Sequence, residues 1–178
     1  MYLQTILIKP ASSQCNMSCD YCFYCDEAAK REYGSYGMMS EETLRSLIKK
    51  SLFQAVSDIC FAFQGGEPTL CGLPFFEKVI ELEQRYNRNG VKIFNTLQTN
   101  GLILDEDWCK FFKDHQFLIG VSLDGTKETH DRARHSKGGL PTYDRILRAL
   151  GMLEKYQVEY NILTVVNAYT ASNIRDIY

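Results

Sequence analysis

Three cysteines near the N-terminus have a spacing suited to an iron-sulfur cluster. Cys15, Cys19 and Cys22 form a C-x3-C-x2-C triplet, and an aromatic residue, Tyr21, stands directly before the last cysteine. Four protein thiolates would complete the coordination of a structural zinc ion or of an iron-sulfur cluster, whereas three on a four-iron cube leave one iron for an outside ligand. The triplet therefore predicts a 4Fe-4S cluster with one reactive corner.

Cys25 leaves a second interpretation of these cysteines open. It follows Cys22 by three residues, so the four thiols could instead form a closed four-cysteine site or a zinc knuckle. Zinc sites more commonly have paired C-x2-C halves or histidines, and the histidines of this chain, at positions 115, 130 and 135, are distant in sequence. The spacing favours three cluster ligands over a closed site.

The other cysteines and the overall composition narrow the class of protein. Seven cysteines are an odd number and four of them lie within eleven residues, which is more typical of metal binding in a reducing compartment than of a secreted disulfide framework. Cys60 and Cys109 lie in apolar runs and are expected to be buried, while Cys71, in a turn, has no predicted role.

Length, charge and hydropathy exclude several kinds of partner. At 178 residues the chain is expected to form one folded unit, and its net charge of -2 gives no basic surface of the kind that nucleic acid binding requires. No apolar run reaches the roughly 18 residues of a membrane span, and the N-terminus lacks the pattern of a secretory signal. We expect a cytoplasmic protein that binds neither nucleic acid nor membrane.

Apolar strand patterns alternate with amphipathic helix patterns along the whole chain, which indicates an α/β fold with a parallel sheet. Strands are predicted at residues 3–9, 59–63, 91–97, 117–123 and 158–166. Helices are predicted to begin after Ser40, at Pro74, after Asp105 and at Thr142, and a last helical stripe covers residues 171–178.

Polar and glycine-rich clusters directly follow the predicted strands. They are the cysteine triplet, residues 64–68, residues 98–101, residues 122–125 and Asn167. In barrel-like α/β proteins the carboxyl ends of parallel strands meet on one face, which carries the active site. Each cluster alone is an ordinary turn signal. Their shared position predicts one functional rim.

The triplet and the later clusters together resemble the radical S-adenosylmethionine (radical SAM) superfamily, whose open iron binds the amino and carboxylate groups of SAM. Residues 65–68 match its GGEP motif. The resemblance implies that Cys15, Cys19 and Cys22 hold the cluster. It also implies that Tyr21 contacts the adenine of SAM and that Gly66 and Glu67 contact its ammonium group. Ser122 would contact a ribose or carboxylate oxygen of SAM, and Arg134 would bind its carboxylate. Each of these residues also has an ordinary explanation, as a turn, a core aromatic or a surface arginine.

Residues 7–13, 61–70, 97–101, 122–125 and 160–166 further resemble the anaerobic sulfatase-maturating enzymes. Those enzymes use a 5′-deoxyadenosyl radical derived from SAM to oxidise a sulfatase Cys or Ser to Cα-formylglycine. The resemblance implies an unfolded sulfatase segment as substrate and an electron donor such as flavodoxin or ferredoxin. It also implies a substrate side of the rim lined by Tyr24, Gln64, Gln98 and Asn100.

The resemblance further implies a partial (β/α) TIM-like barrel of the radical SAM type, truncated after about five βα units. We expect residues 1–178 to form an incomplete radical SAM core domain unable to complete maturation alone. The last barrel strands, a carboxylate base and a cysteine-rich SPASM domain would lie beyond residue 178. Two alternatives stay open: another SPASM-type peptide maturase that forms a thioether or carbon-carbon crosslink, and a non-catalytic iron-sulfur sensor or binding module.

Overall fold

The computed structural model describes residues 3–177, so Tyr178, the last residue of the predicted helical stripe, lies outside the described residues. A five-stranded sheet forms the centre, every neighbouring pair of strands is parallel, and the spatial order follows the chain order. The strands are β1 (Gln4–Ile8), β2 (Ile59–Phe63), β3 (Ile93–Thr99), β4 (Leu118–Ser122) and β5 (Tyr160–Leu163). The predicted parallel α/β architecture is confirmed.

Helices connect the strands, as parallel neighbours require. They are α1 (Phe23–Ala29), α2 (Glu41–Gln54), α3 (Leu73–Tyr86), α4 (Glu106–Asp114), α5 (Lys127–Ala133), α6 (Tyr143–Lys155), α7 (Ala168–Ser172) and α8 (Ile174–Ile177), with a 3-10 turn at Pro68–Cys71. Across residues 3–177, none of the helices is long and apolar enough to cross a membrane.

Side chains fix the predicted starts of two helices. The Ser40 hydroxyl accepts a hydrogen bond from the Thr43 amide at 3.2 Å at the start of α2. The Asp105 carboxylate accepts one from the Trp108 amide at 3.0 Å at the start of α4. Each bond satisfies an amide that has no partner within its helix, which is worth about 1 kcal/mol.

One face of the sheet packs against the helices and forms the core. Phe61 and Phe63 of β2 point to this face and are almost fully buried. The Phe63 ring packs edge-on against Phe76 of α3, with 5.2 Å between the ring centroids. Burying a side chain of this size contributes about 1.5–3 kcal/mol. The opposite face is more open, since Leu7 and Phe94 on it are 51% and 37% exposed.

The strand and helix boundaries differ from the predicted ones where tertiary hydrogen bonds decide them. β5 ends at Leu163 rather than at residue 166, because the Thr164 hydroxyl bonds to the Leu123 carbonyl and the Val165 amide bonds to the Asp124 carboxylate. β3 spans Ile93–Thr99, two residues later than predicted. α1 and α5 were not predicted from the sequence; each is only seven residues long.

Candidate active site

The cysteine triplet lies in the connection between β1 and α1, and backbone hydrogen bonds hold this connection in place. The Glu67 amide donates to the Gln14 carbonyl at 2.7 Å. The Ser18 and Asp20 amides donate, at 2.9 Å each, to carbonyls in residues 133–135. The triplet is therefore fixed against the residues after β2 on one side and against the last residue of α5 and the segment after it on the other.

The three predicted cluster ligands are partly buried and line one cleft. The Cys15 sulfur accepts hydrogen bonds from the Met17 amide at 3.3 Å and from the Asn100 side chain at 3.6 Å. Such donors favour a charged thiolate. Burial raises the pKa of the Cys15 thiol, and it raises the pKa of the Cys19 thiol to about 11, so metal binding must release protons from these thiols. The donor set fits an iron-sulfur cluster.

A single metal ion fits these cysteines less well. Among residues 3–177, no three Cys, His, Asp or Glu side chains come together in a way that could hold one ion. Each thiolate on a four-iron cube binds a different iron, so a cube accepts sulfurs that are further apart. Cys25 is exposed and stands outside the cleft lining. The cleft lining thus contains the three predicted cluster ligands and not Cys25.

The cleft at the carboxyl ends of the strands has a volume of about 160 Å³. It brings together the three cysteines and all the residues predicted to face SAM or substrate. These are Cys15, Cys19, Cys22, Tyr21, Gly66, Glu67, Ser122, Arg134, Tyr24, Gln64, Gln98 and Asn100. A larger cleft of about 530 Å³ lies beside α1 and shares Tyr24 with the first. The strand ends from β1 to β4 thus contribute to one cleft, as predicted. The fifth predicted contribution, Asn167 after β5, is not part of the cleft lining, because its side chain accepts hydrogen bonds from the Tyr169 and Thr170 amides at the start of α7.

Gly66 allows the connection between β1 and α1, residues 9–22, to approach the end of β2; we call this connection the cysteine loop. Its φ is +58°, and a Cβ built on it would lie 2.3 Å from the Gln14 carbonyl oxygen. Only glycine adopts this conformation without strain and leaves room for the neighbouring backbone. The contact that requires glycine here is with the residue before Cys15.

Glu67 is buried and its carboxylate is fully engaged with the protein. It is 1% exposed, and it accepts hydrogen bonds from the Thr69 amide and hydroxyl, the Thr99 hydroxyl and the Asn100 amide, at 2.6–3.1 Å. Burial raises the pKa of Glu67, and these donors oppose the rise. The carboxylate therefore links the ends of β2 and β3. Its interaction with the ammonium group of SAM stays a prediction.

A second buried carboxylate, Asp124, holds the opposite side of the rim. Arg134 donates from Nε to Oδ2 at 2.9 Å and from Nη2 to Oδ1 at 3.4 Å, and the Tyr21 hydroxyl also donates to Oδ2. The Val165 amide completes the set at 2.9 Å from Oδ1. Burial raises the pKa of the Tyr21 hydroxyl, so it remains a proton donor. The guanidinium carbon of Arg134 also lies 5.4 Å from the centre of the Tyr21 ring.

The contacts of Asp124 were not predicted from the sequence. Asp124 precedes a glycine after β4, and such a pair is an ordinary turn signal. Its partners Tyr21 and Val165 are 103 and 41 residues away, so no local pattern identifies them. By contrast, the expected burial of Cys60 and Cys109 is confirmed, since they are 7% and 0% exposed.

Comparison with known proteins gives relatives over almost the whole chain. The chain is 48% identical over 174 residues to the cysteine-type anaerobic sulfatase-maturating enzyme of Clostridium perfringens (strain ATCC 13124), covering 98% of this chain and 47% of that protein. It is 36% identical to the serine-type enzyme of Bacteroides thetaiotaomicron, covering 97% and 42%. The chain thus spans about half the length of the curated relatives it matches.

Solved structures give the same picture of the fold. Native anSMEcpe with bound AdoMet matches with a TM-score of 0.94 and 48% identity, covering 99% of this chain and 48% of that one. The complex that also holds the Cp18Cys peptide matches with a TM-score of 0.91, covering 99% and 46%. These matches confirm the predicted partial barrel. The model of the radical SAM superfamily matches residues 10–178. The chain therefore belongs to the radical SAM superfamily.

Proposed function

We propose that this chain is the cluster- and SAM-binding core domain of an anaerobic sulfatase-maturating enzyme. The observation that carries the proposal is the single cleft that gathers all three cysteines and every residue predicted to bind SAM. A non-catalytic iron-sulfur sensor would have no need of a SAM site beside its cluster.

In this proposal Cys15, Cys19 and Cys22 hold a 4Fe-4S cluster, and its fourth iron is open to SAM. Tyr21, Gly66, Ser122 and Arg134 bind SAM in the same cleft, with Glu67 as a further candidate. When bound, the cluster and SAM supply the one-electron chemistry that generates the 5′-deoxyadenosyl radical. The protein orients the reactants and limits their contact with water, since the buried residues Glu67 and Arg134 form part of the cleft lining.

The substrate we propose is an unfolded polypeptide segment of a sulfatase, with a cysteine oxidised to Cα-formylglycine. Identity to the cysteine-type relative, at 48%, exceeds identity to the serine-type relative, at 36%, and this difference supports the cysteine form. The larger cleft beside α1 offers space for a polypeptide. It adjoins the cleft that contains the three cysteines, because Tyr24 lines both. We also propose a cytoplasmic location and a flavodoxin or ferredoxin as electron donor.

An electron paramagnetic resonance (EPR) experiment tests the cofactor part of the proposal. The protein is reconstituted anaerobically with iron and sulfide, reduced with dithionite and measured with and without SAM. We expect a reduced 4Fe-4S signal that changes shape when SAM is added. A cluster signal that does not change when SAM is added would favour the non-catalytic sensor. Protein that binds zinc but no cluster would support the closed four-cysteine site.

Peptide assays test the substrate part, using the protein that contains this chain. Matched peptides from a sulfatase, with Cys or Ser at the target position, are incubated with SAM and reductant and analysed by mass spectrometry. We expect formylglycine in the Cys peptide, and more slowly or not at all in the Ser peptide. A thioether or carbon-carbon crosslink in another precursor, without formylglycine, would support the alternative peptide maturase.

A further inference from the structure

Asn100 lies at the carboxyl end of β3 with its side-chain amide directed at the cysteine loop. It is 7% exposed. Its Nδ2 donates to the Asn16 Oδ1 at 2.7 Å and to the Cys15 sulfur at 3.6 Å, while its Oδ1 accepts from the Leu102 amide at 3.0 Å. Both kinds of atom in the amide are therefore engaged within the protein.

These contacts fix which way the amide faces. If the amide were flipped, its NH2 group would meet the Leu102 N–H, and its oxygen would meet the Asn16 oxygen and the Cys15 sulfur. Donor would face donor and acceptor would face acceptor. The hydrogen-bond network thus requires the N–H groups to point towards Cys15.

Glu67 holds both partners of this contact. Its carboxylate accepts from the Asn100 backbone amide at 2.7 Å. Its own backbone amide donates to Gln14, the residue before Cys15, also at 2.7 Å. The donor and the sulfur are therefore tied to one buried residue.

A donor at this position acts on the electron affinity of a bound cluster. One-electron reduction by an external donor adds negative charge to the cluster and its thiolates, with no bond made or broken. N–H groups that point at a ligand sulfur stabilise the more negative, reduced form. The Met17 amide also donates to Cys15 but belongs to the backbone, so Asn100 provides the donor that a substitution can remove.

We propose that the Asn100 side chain is a hydrogen-bond donor to the cluster ligand Cys15 and raises the reduction potential of the cluster. This inference rests on the cluster binding in the proposed function. It assigns Asn100 to the cluster instead of the substrate, since both hydrogens of its amide are directed at residues 15 and 16.

Redox titration followed by EPR on the reconstituted protein tests the proposal. Asn100→Ala removes the donor. Asn100→Asp keeps an acceptor for the Leu102 amide and replaces the donor by an oxygen. Asn16→Ala is the matched control, because it removes the neighbouring partner of Asn100 and leaves the bond from Asn100 to Cys15 possible. Asn16 itself offers only an oxygen to the Cys15 sulfur, at 3.9 Å, and donates no hydrogen bond to it. Iron content is measured for each protein.

We expect the midpoint potential to fall in Asn100→Ala and to fall further in Asn100→Asp, with a smaller change in Asn16→Ala. Unchanged potentials in both Asn100 variants would overturn the proposal. So would an equal fall in Asn16→Ala, or folded Asn100 variants that bind no iron, since each would indicate a purely structural role. Wild-type protein without any cluster would instead overturn the proposed function.

Discussion

Replacing Gly66 by alanine should disrupt the cysteine loop more than its small size suggests. Two separate costs arise. The residue has a φ of +58°, which residues with a Cβ atom rarely adopt. The added Cβ would also lie 2.3 Å from the Gln14 carbonyl oxygen, a backbone atom that cannot rotate away as a flexible side chain would.

The size of the effect follows from these two costs. The left-handed conformation costs roughly 1–2 kcal/mol for a residue with a Cβ. Forcing an extra carbon into a packed site costs about 1–3 kcal/mol more. We therefore expect Gly66→Ala to lower the free energy of unfolding by about 2–5 kcal/mol, a large share of the roughly 5–15 kcal/mol that stabilises a domain.

Gly90→Ala is the matched control for this substitution. Gly90 has a φ of +62°, close to that of Gly66, but a Cβ on it would meet no atom within 4 Å. Both variants also restrict the unfolded chain equally. The difference between them therefore isolates the contact with Gln14.

Urea denaturation of the metal-free protein, followed by circular dichroism, measures both variants. We expect Gly66→Ala to lose about 1–3 kcal/mol more than Gly90→Ala. We also expect it to bind less iron on reconstitution, because Gln14 adjoins Cys15. Equal losses of stability and equal iron contents in the two variants would refute the close approach of the loop to Gly66.

Three further predictions concern buried ionisable groups. Burial raises the pKa of Glu83 to about 7. The protonated side chain therefore adds stability that is fully present below about pH 4.5 and is lost as the pH rises through 7. Glu83→Gln should remove this pH dependence of the free energy of unfolding, worth about 3 kcal/mol, when denaturation is compared at about pH 5 and about pH 8. Burial lowers the pKa of His130 to about 4, so NMR should find its imidazole neutral at about pH 5.5. The contribution of the neutral ring to the free energy of unfolding should be lost as the pH falls from about 6.5 to about 4. A charged ring at about pH 5.5 would contradict its burial. Asp124→Asn should cost about 3 kcal/mol in urea denaturation, because it leaves Arg134 buried without its ion pair. Lys127→Ala, which breaks an exposed pair with Asp144, should change stability little, and an equal loss in these last two variants would refute the argument.

The sequence alone indicated which residues lie together at the strand ends, because they belong to short contiguous motifs. The cysteine triplet and the GGEP motif each fix several residue types at fixed spacing, and both directly follow a strand. β2 was predicted with its observed bounds, since Ile59–Phe63 is a continuous apolar run between polar residues. Local pattern and tertiary role agree at these positions.

Other features depend on contacts that no local pattern records. α1 has no buried residue, so it lacks the apolar stripe by which a helix is recognised. The amide of Asn100 meets Cys15 across 85 positions of the chain. The carboxylate of Asp124 likewise has partners in the cysteine loop, after α5 and after β5. Such roles emerge only when the strand ends are assembled.

Two buried acidic residues, Glu67 and Asp124, hold the cysteine triplet at both of its ends. Burying a carboxylate is costly unless its oxygens find donors. Glu67 and Asp124 each have four donors. The backbone of Glu67 holds Gln14, directly before Cys15, and the carboxylate of Asp124 holds Tyr21, directly before Cys22. Because the outer two cysteines of the triplet each follow a residue held in this way, the loop can present its three partly buried thiols to the cleft.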